Sequence, residues 1–301
     1  MTRSASRLVI ERRPAWPAML ELLKPVTWFP PMWAFLCGVV SSGVAADGHW
    51  NLIIAGLLLA GPLICGTSQA VNDWFDRHVD AINEPRRPIP SGRMPGRWGL
   101  YIAVVWTCVS LAVAALLGQW VFAASLLGMA LAWAYSAPPW RLKKNGWWGN
   151  SAVALCYEGV PWLTAVVVMT GGVLPRLEIV ALALAYSIGA HGIMTLNDFK
   201  SVQGDRRMGV GSLPVRLGVE TAARVACGVM VMAQVLVAGL LFLWERPLAG
   251  GVIIALLLGQ IIMMQRLLRR PAELDVWYNA CGVPLYVLGM MVSALAVRSL
   301  P

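Results

Sequence analysis

Charged side chains are scarce in this 301-residue chain, where they make up 13% of the residues against 58% hydrophobic ones. A soluble domain has roughly a quarter charged residues, because it must cover its core with solvated groups. The chain has too little polar surface for that, which excludes a soluble enzyme and a nucleic-acid-binding domain. We therefore predict an integral membrane protein that has no nucleic-acid partner and lies in a lipid bilayer.

Paired cysteines are also missing. The six cysteines are scattered singly, with no C-x-x-C motif, and there are only three histidines. This spacing favours neither a disulfide framework nor a zinc site. We interpret the cysteines as small apolar packing residues.

Apolar runs are plentiful instead. A helix crosses a bilayer with about 20 apolar residues, and the runs are continuous, which argues against the alternation of a membrane strand barrel. We predict an all-α polytopic protein, with residues 1–26 as an N-terminal segment that includes an interfacial helix around 14–23, and residues 27–301 as the membrane domain. The nine predicted transmembrane helices lie near 28–46, 52–74, 98–117, 119–136, 150–171, 177–199, 221–243, 247–265 and 278–297.

The distribution of basic residues predicts the orientation. With the N-terminus inside, only Arg176, Arg246 and Arg298 of the 24 lysine and arginine residues fall outside. Such asymmetry is what the positive-inside rule produces. The N-terminus is therefore predicted to be cytoplasmic and the C-terminus, after nine spans, periplasmic.

Two short stretches at the inner ends of spans two and six repeat one acidic template. The first acidic segment (residues 72–80) reads NDWFDRHVD, and the second acidic segment (residues 197–205) reads NDFKSVQGD. On a helix, the offsets 0, 3 and 7 of the acidic positions lie on one face. Each segment is thus predicted to present one polar face, although Gly204 weakens the expected helix in the second.

Several carboxylates on one face repel one another unless a cation lies between them. Oxygen ligands suit Mg²⁺, which commonly bridges a few carboxylates to substrate phosphates. The alternative, acidic residues that merely solvate helix ends, is disfavoured because the template recurs on the same membrane side. The predicted metal ligands are Asn72, Asp73, Asp76, Asp80, Asn197, Asp198 and Asp205, of which Asp73, Asp76 and Asp198 are also predicted to be catalytic.

Basic side chains surround both acidic segments. The connection after the first segment is dense in proline and arginine, and guanidinium forks match phosphate oxygens. The alternative, that these are ordinary basic inner loops, stays open for any single residue. The predicted diphosphate-binding residues are Arg77, Arg86, Arg87, Arg93, Arg141, Lys143, Lys200 and Arg206.

These strings resemble the UbiA superfamily of intramembrane prenyltransferases, and within it the branch of bacteriochlorophyll and chlorophyll synthases. The resemblance rests on NDWFDRHVDAINEPRRPIPSGR at 72–93, NDFKSVQGDR at 197–206 and SLP at 212–214. The string RHVDA at 77–81 is closer to the bacteriochlorophyll enzymes. Two departures are Gln203, where the branch usually has glutamate, and Ser201, where many members have aspartate.

The resemblance implies a helical bundle around a lipid-open central cavity, with Mg²⁺ as the cofactor. It implies that geranylgeranyl or phytyl diphosphate esterifies the propionate of a bacteriochlorophyllide. It further implies the inner membrane, cytoplasmic or intracytoplasmic and photosynthetic, and association with other pigment-biosynthesis or photosynthetic membrane proteins.

The reaction so implied has no need of a general base, because a propionate is ionised above roughly pH 4–5. Glu158 in span five is a further catalytic candidate, since an ionisable group at that depth is costly to bury, and His191 is interpreted as a packing residue. Three alternatives remain open. They are a chlorophyll synthase, a quinone or haem prenyltransferase, and a secondary transporter, which would also have intramembrane carboxylates and internal repeats.

Overall fold

The computed structural model describes residues 13–300 and places them in a helical bundle. Within this range there is no β-strand, only one isolated parallel bridge between Asn145 and Gly211. The all-α prediction is confirmed. The fifteen helices of the described range are α1 (Trp16–Leu23), α2 (Phe29–Ser41), α3 (Trp50–Leu58), α4 (Gly66–Asn83), α5 (Trp98–Leu117), α6 (Gln119–Ser136), α7 (Gly146–Ala154), α8 (Val160–Met169), α9 (Leu177–Asn197), α10 (Val202–Arg207), α11 (Leu213–Leu217), α12 (Val219–Leu243), α13 (Pro247–Arg269), α14 (Pro271–Cys281) and α15 (Val283–Val297).

Seven helices of the described range are long and apolar enough to cross a membrane, so the chain is a multi-pass membrane protein. The predicted count of nine spans is not confirmed. The first predicted span is the 13-residue α2, which at about 1.5 Å per residue covers only ~20 Å of a ~30 Å hydrocarbon core. The fourth is α6, whose 18 residues include Gln119, Trp120 and Tyr135 and which is not among the seven.

Two helical stretches contain a wide π-helical turn. The first, Leu59–Cys65, joins α3 to α4 and contains Pro62, which lacks an N–H and would clash with a carbonyl in a regular helix. The second, Leu155–Gly159, joins α7 to α8 just before Pro161. Proline therefore accounts for both distortions, and such turns often mark functional sites.

Close helix contacts hold the bundle together. The helix α9 packs along α12, where a Cβ atom on Gly192 would lie 2.4 Å from the carbonyl oxygen of Ala226. Only glycine permits that approach, which small residues provide in membrane helix pairs. On the outside, large apolar side chains such as Leu116 and Leu248 are exposed, as expected for a surface that contacts lipid.

Candidate active site

The first acidic segment lies on the continuous helix α4, as the spacing predicts. Asp73 is almost fully buried and accepts hydrogen bonds at Oδ1 from Lys24 Nζ at 2.6 Å and from Arg87 at 3.3 Å. Arg87 also donates to Asp80 at 2.8 Å. Two carboxylates of this segment are thus neutralised by basic side chains from outside α4.

Asp76 has a separate set of partners. It forms ion pairs with Lys143 and, at 3.8 Å, with Arg141, and its Oδ2 accepts a hydrogen bond of 2.9 Å from Asn72. Lys143 lies in the connection between α6 and α7, outside the membrane spans. Burial lowers the pKa of its ammonium group, while the charge of Asp76 opposes that shift. A second anion beside Lys143 would stabilise the charged form further.

The second acidic segment does not continue the helix. The helix α9 ends at Asn197, a 3₁₀ turn covers Asp198–Ser201, and α10 follows. The helix is thus interrupted in the second segment, as the sequence suggests, but not at Gly204, which is buried inside α10. The break comes six residues earlier, at Asp198, the first carboxylate of the segment.

Neutral groups hydrogen-bond this second segment. Asp198 accepts a bond of 3.1 Å from Asn150, and Asp205 accepts one of 2.7 Å from Ser212. Asn197 accepts from Asn279 at 3.0 Å. Among residues 13–300, none of the ion pairs involves Asp198 or Asp205.

Backbone pairing brings the two regions together. Gly211 donates to the carbonyl oxygen of Lys144 at 3.0 Å, and Gly146 donates back to Gly211 at the same distance. The connection that contains Lys143 is thereby fixed to the loop that follows the second acidic segment. The ion pair of Lys143 with Asp76 then links both acidic segments to one connection.

Both acidic segments line one cavity of about 960 Å³. Six of the seven predicted metal ligands line its walls. The seventh, Asp73, is buried against Lys24 and Arg87 instead. Of the predicted diphosphate-binding residues, four contribute to the walls. These contributing residues are Asn72, Asp76, Asp80, Asn197, Asp198 and Asp205 among the ligands, and Arg87, Arg141, Lys143 and Lys200 among the cations.

The other four predicted cations lie elsewhere. Arg77 stacks over the ring of Trp74 with its guanidinium carbon 4.3 Å from the ring centroid. Arg93 pairs with Glu21 of α1 at 2.8 Å, and its hydrogen bond lowers the pKa of that carboxyl. Arg86 and Arg206 are exposed. Their local partners or solvent exposure separate these four from the cavity wall.

Sequence reasoning missed a polar group deeper in the cavity. The hydroxyl oxygen of Tyr157 accepts a 2.9 Å hydrogen bond from Gln69 Nε2 and lies 3.4 Å from Cys65 Sγ. All three residues line the cavity, and both π-helical turns contribute to the group. Pro62 and Pro161 could have indicated this group. A proline inside a membrane helix predicts a local distortion of the helix, where polar side chains can meet.

Glu158 and the histidines occupy other places. Glu158 neighbours Tyr157 but is 5% exposed, and its Oε2 atom has no hydrogen-bond partner within the described range. His191 is buried and stacks on Trp147 with ring centroids 5.4 Å apart, while His49 is half-buried and His78 is exposed. None of these four residues contributes to the cavity wall among the described residues.

The donor atoms of the two acidic segments fit Mg²⁺. They are carboxylate and amide oxygens, and the described part of the shared wall has no imidazole. Within residues 13–300, no three His, Cys, Asp or Glu side chains form a closed metal cluster. Mg²⁺ does not require one, since it keeps several waters and uses one or two carboxylates together with phosphate oxygens.

Residues 28–281 match the UbiA prenyltransferase family. The chain belongs to this family. It is 59% identical to the "Bacteriochlorophyll synthase 33 kDa chain" of Cereibacter sphaeroides, over 94% of this chain and 93% of that protein. Chloroplastic chlorophyll synthase of Oryza sativa subsp. japonica is 40% identical, over 93% of this chain and 77% of that protein.

A solved structure shares the fold of this UbiA prenyltransferase. It is a UbiA homologue from Archaeoglobus fulgidus bound to GPP and Mg²⁺, with a TM-score of 0.72 and 20% identity. The match covers 93% of this chain and 99% of that one. The predicted UbiA-type architecture is therefore confirmed.

Proposed function

We propose that this prenyltransferase is a bacteriochlorophyll synthase, which joins a geranylgeranyl or phytyl group to the propionate of bacteriochlorophyllide and releases diphosphate. The observation that carries the proposal is the 59% identity to a bacteriochlorophyll synthase along 94% of the chain. The greater distance to chlorophyll synthase, at 40% identity, favours the bacterial pigment.

The two acidic segments hold Mg²⁺ and the diphosphate in this proposal. Asp76 and Asp80 would bind metal from one wall, and Asp198 and Asp205 from the other, with Asn72 and Asn197 beside them. When bound, Mg²⁺ would neutralise the charge that develops on the departing diphosphate. Lys143, Arg141 and Arg87 already lie next to these carboxylates and can turn their donors toward phosphate oxygens.

The chemical step requires little more than positioning and charge stabilisation. A carboxylate oxygen of the acceptor forms a bond to C1 of the prenyl group, while the bond from C1 to the diphosphate oxygen breaks. The electron pair of that bond leaves with the diphosphate, toward Lys143 and Arg141. Fixed cations stabilise this departing charge without reorganising during the reaction. A cavity that binds both substrates also holds the carboxylate and C1 in the orientation in which they react.

Tyr157 supplies a place for the acceptor carboxylate. Gln69 precedes Asp76 by two helical turns, so the Gln69–Tyr157 pair lies about 10 Å deeper along α4. A nucleophile that attacks C1 opposite the diphosphate approaches from this deeper side. The Tyr157 oxygen accepts one bond from Gln69 and a weak one from the thiol of Cys65. The hydroxyl proton of Tyr157 is free to bind and orient a carboxylate.

A carboxylate acceptor supports a mechanism with no base. A carbon nucleophile, as in quinone or haem prenylation, would have to lose a proton to a group that titrates near neutrality. A carboxylate acceptor is ionised beforehand. We therefore expect a rate that is flat from about pH 6.5 to 8.5 with saturating Mg²⁺.

We further propose that the protein lies in the inner or intracytoplasmic photosynthetic membrane, with the cavity mouth and N-terminus cytoplasmic and the C-terminus periplasmic. The basic residue distribution supports this orientation. A reporter fused after Pro301 should be active only in its periplasmic form, and activity of a cytoplasmic reporter at that position would reverse the assignment.

The deciding experiment offers purified protein geranylgeranyl diphosphate with two acceptors, bacteriochlorophyllide and an aromatic quinone precursor. We expect pigment ester and free diphosphate in equal amounts, only with Mg²⁺. A prenylated aromatic product would move the protein to another branch of the family. Ion movement across vesicles without diphosphate release would instead favour the transporter.

A further inference from the structure

A second, smaller cavity lies deeper in the bundle than the acidic segments. It has a volume of about 30 Å³, which is room for roughly two water-sized groups. Ala60, Ile64, Gly128 and Cys156 line both cavities, so the small one adjoins the large one. We name it the annex, and these four residues form its neck.

The walls of the annex are mostly apolar, with the hydroxyl of Ser125 and the thiol of Cys156 among them. Phe35 closes it beside Gly56, where a Cβ atom would come within 1.9 Å of the phenyl ring. Leu59 and Val160 add apolar surface, and the hydroxyl of Thr164 is bonded to the carbonyl oxygen of Val160 at 2.7 Å. A small space lined mostly by hydrocarbon groups suits the end of a hydrocarbon chain.

The depth of the annex matches the length of a C20 chain. Asp76 and Ala60 are sixteen residues apart along α4 and the π-helical turn, a separation of roughly 20–24 Å. A C20 prenyl group has about sixteen main-chain carbons, and each extended bond advances slightly less than one helical residue, about 1.5 Å. With its diphosphate at Asp76, a C20 chain therefore ends in the annex, and a C15 chain ends before the neck.

We propose that the annex binds the branched terminal end of a C20 prenyl diphosphate and so selects the chain length that this protein transfers. This inference rests on the proposed function. The chemistry of the ligand is an unsaturated or saturated isoprenoid tail, and the selecting element is the passage past Gly128 and Ile64.

Gly128 offers a way to close the neck without disturbing the bundle. A Cβ atom there would meet only Cγ2 of Ile64, at an ordinary contact distance of 3.9 Å. Gly128→Leu should therefore fold and place its side chain in the passage. Gly239→Leu in α12 is the matched control, because Gly239 is exposed and a Cβ atom there meets nothing within 4 Å.

The test is a competition between equimolar geranylgeranyl (C20) and farnesyl (C15) diphosphates with bacteriochlorophyllide and the full-length protein. We expect Gly128→Leu to lower the ratio of C20 to C15 ester at least about tenfold, the range for one misfitting apolar group in a pocket. Gly239→Leu should keep the wild-type ratio. An unchanged ratio in active Gly128→Leu would overturn the inference.

Phe35→Ala covers the case in which Gly128→Leu is inactive. Removal of the ring opens the closed end, so the ratio of C25 to C20 ester should rise several-fold, and an unchanged ratio would again overturn the inference. The proposed function fails in a different way, since then wild-type protein would form no pigment ester with any of these diphosphates.

Discussion

The two acidic segments have one template but different surroundings. The first lies on an unbroken helix, and its three carboxylates are ion-paired with Lys24, Arg87, Arg141 and Lys143. The second begins where α9 ends, and its carboxylates accept bonds only from neutral side chains within residues 13–300. Equal spacing in sequence has therefore produced two different electrostatic sites.

Because their partners differ, the two acidic segments have different roles in the proposed function. Ion-paired carboxylates are neutralised before any metal arrives, so in the proposed function the first segment would couple metal binding to the cations that can bind phosphate. Carboxylates that form no ion pair can be stabilised in their charged form by a divalent cation. We infer that the second segment contributes mainly metal affinity, whereas the first links the metal to the diphosphate.

The largest effect is expected from Asp76→Ala. This change removes a proposed metal ligand and leaves Lys143 without its acidic partner, so ester formation should fall by more than about 100-fold. Initial rates at saturating Mg²⁺ measure it, with Asp47→Ala, an exposed loop carboxylate, as the control. Wild-type rates in an Asp76→Ala protein that elutes as a folded species would remove Asp76 from the site.

Lys143→Met should have the next largest effect. It keeps much of the side-chain length but removes the ammonium group, so the KM for prenyl diphosphate should rise about 10- to 100-fold. Lys144→Met, at the exposed neighbouring residue, should behave as wild type. Equal effects of the two substitutions would mean that the charge of the connection matters and not the contact with Asp76.

Asp198→Asn tests the second segment. Because its partner Asn150 is neutral, no cation is left unpaired, and the Mg²⁺ concentration for half-maximal rate should rise about tenfold with a smaller change in maximal rate. A titration of activity with Mg²⁺ measures this. If the titration is unchanged while the rate collapses, Asp198 acts on the reaction and not on the metal.

The smallest effect is expected from Ser201→Asp, which restores the full template of the first segment. Ser201 lies in the 3₁₀ turn and lines the cavity, so the new carboxylate adds a ligand where space exists. Activity should stay within about threefold of wild type, and the Mg²⁺ requirement should fall. A decrease in activity of more than tenfold would mean that the second segment does not tolerate the carboxylate pattern of the first.

Composition and hydropathy were sufficient to predict the all-α membrane fold, and the resemblance to the UbiA superfamily implied the central cavity that both acidic segments line. They could not predict that Asp73 is neutralised by Lys24, because that contact joins residues 49 apart through tertiary packing. They also could not separate Arg87, which lines the cavity, from Arg93, which pairs with Glu21 on α1. Both arginines occur in the same loop, and only the folded chain distinguishes their partners.

The position at which the helix is interrupted in the second acidic segment could not be predicted from the sequence either. Helix propensity points to Gly204, yet the turn begins at Asp198 and Gly204 lies inside α10. Packing decided the outcome, because the bridge between Lys144 and Gly211 fixes the loop after α10. A bridge of this kind depends on residues more than sixty positions apart and has no local signature.

The most direct test of the account follows the oxygen atoms of the acceptor. Bacteriochlorophyllide labelled with ¹⁸O in both propionate oxygens is incubated with geranylgeranyl diphosphate, Mg²⁺ and the purified protein, and the products are analysed by mass spectrometry. If the carboxylate attacks C1, both labelled oxygens remain in the pigment ester and the diphosphate is unlabelled. Labelled diphosphate, or an ester with only one ¹⁸O atom, would contradict the mechanism.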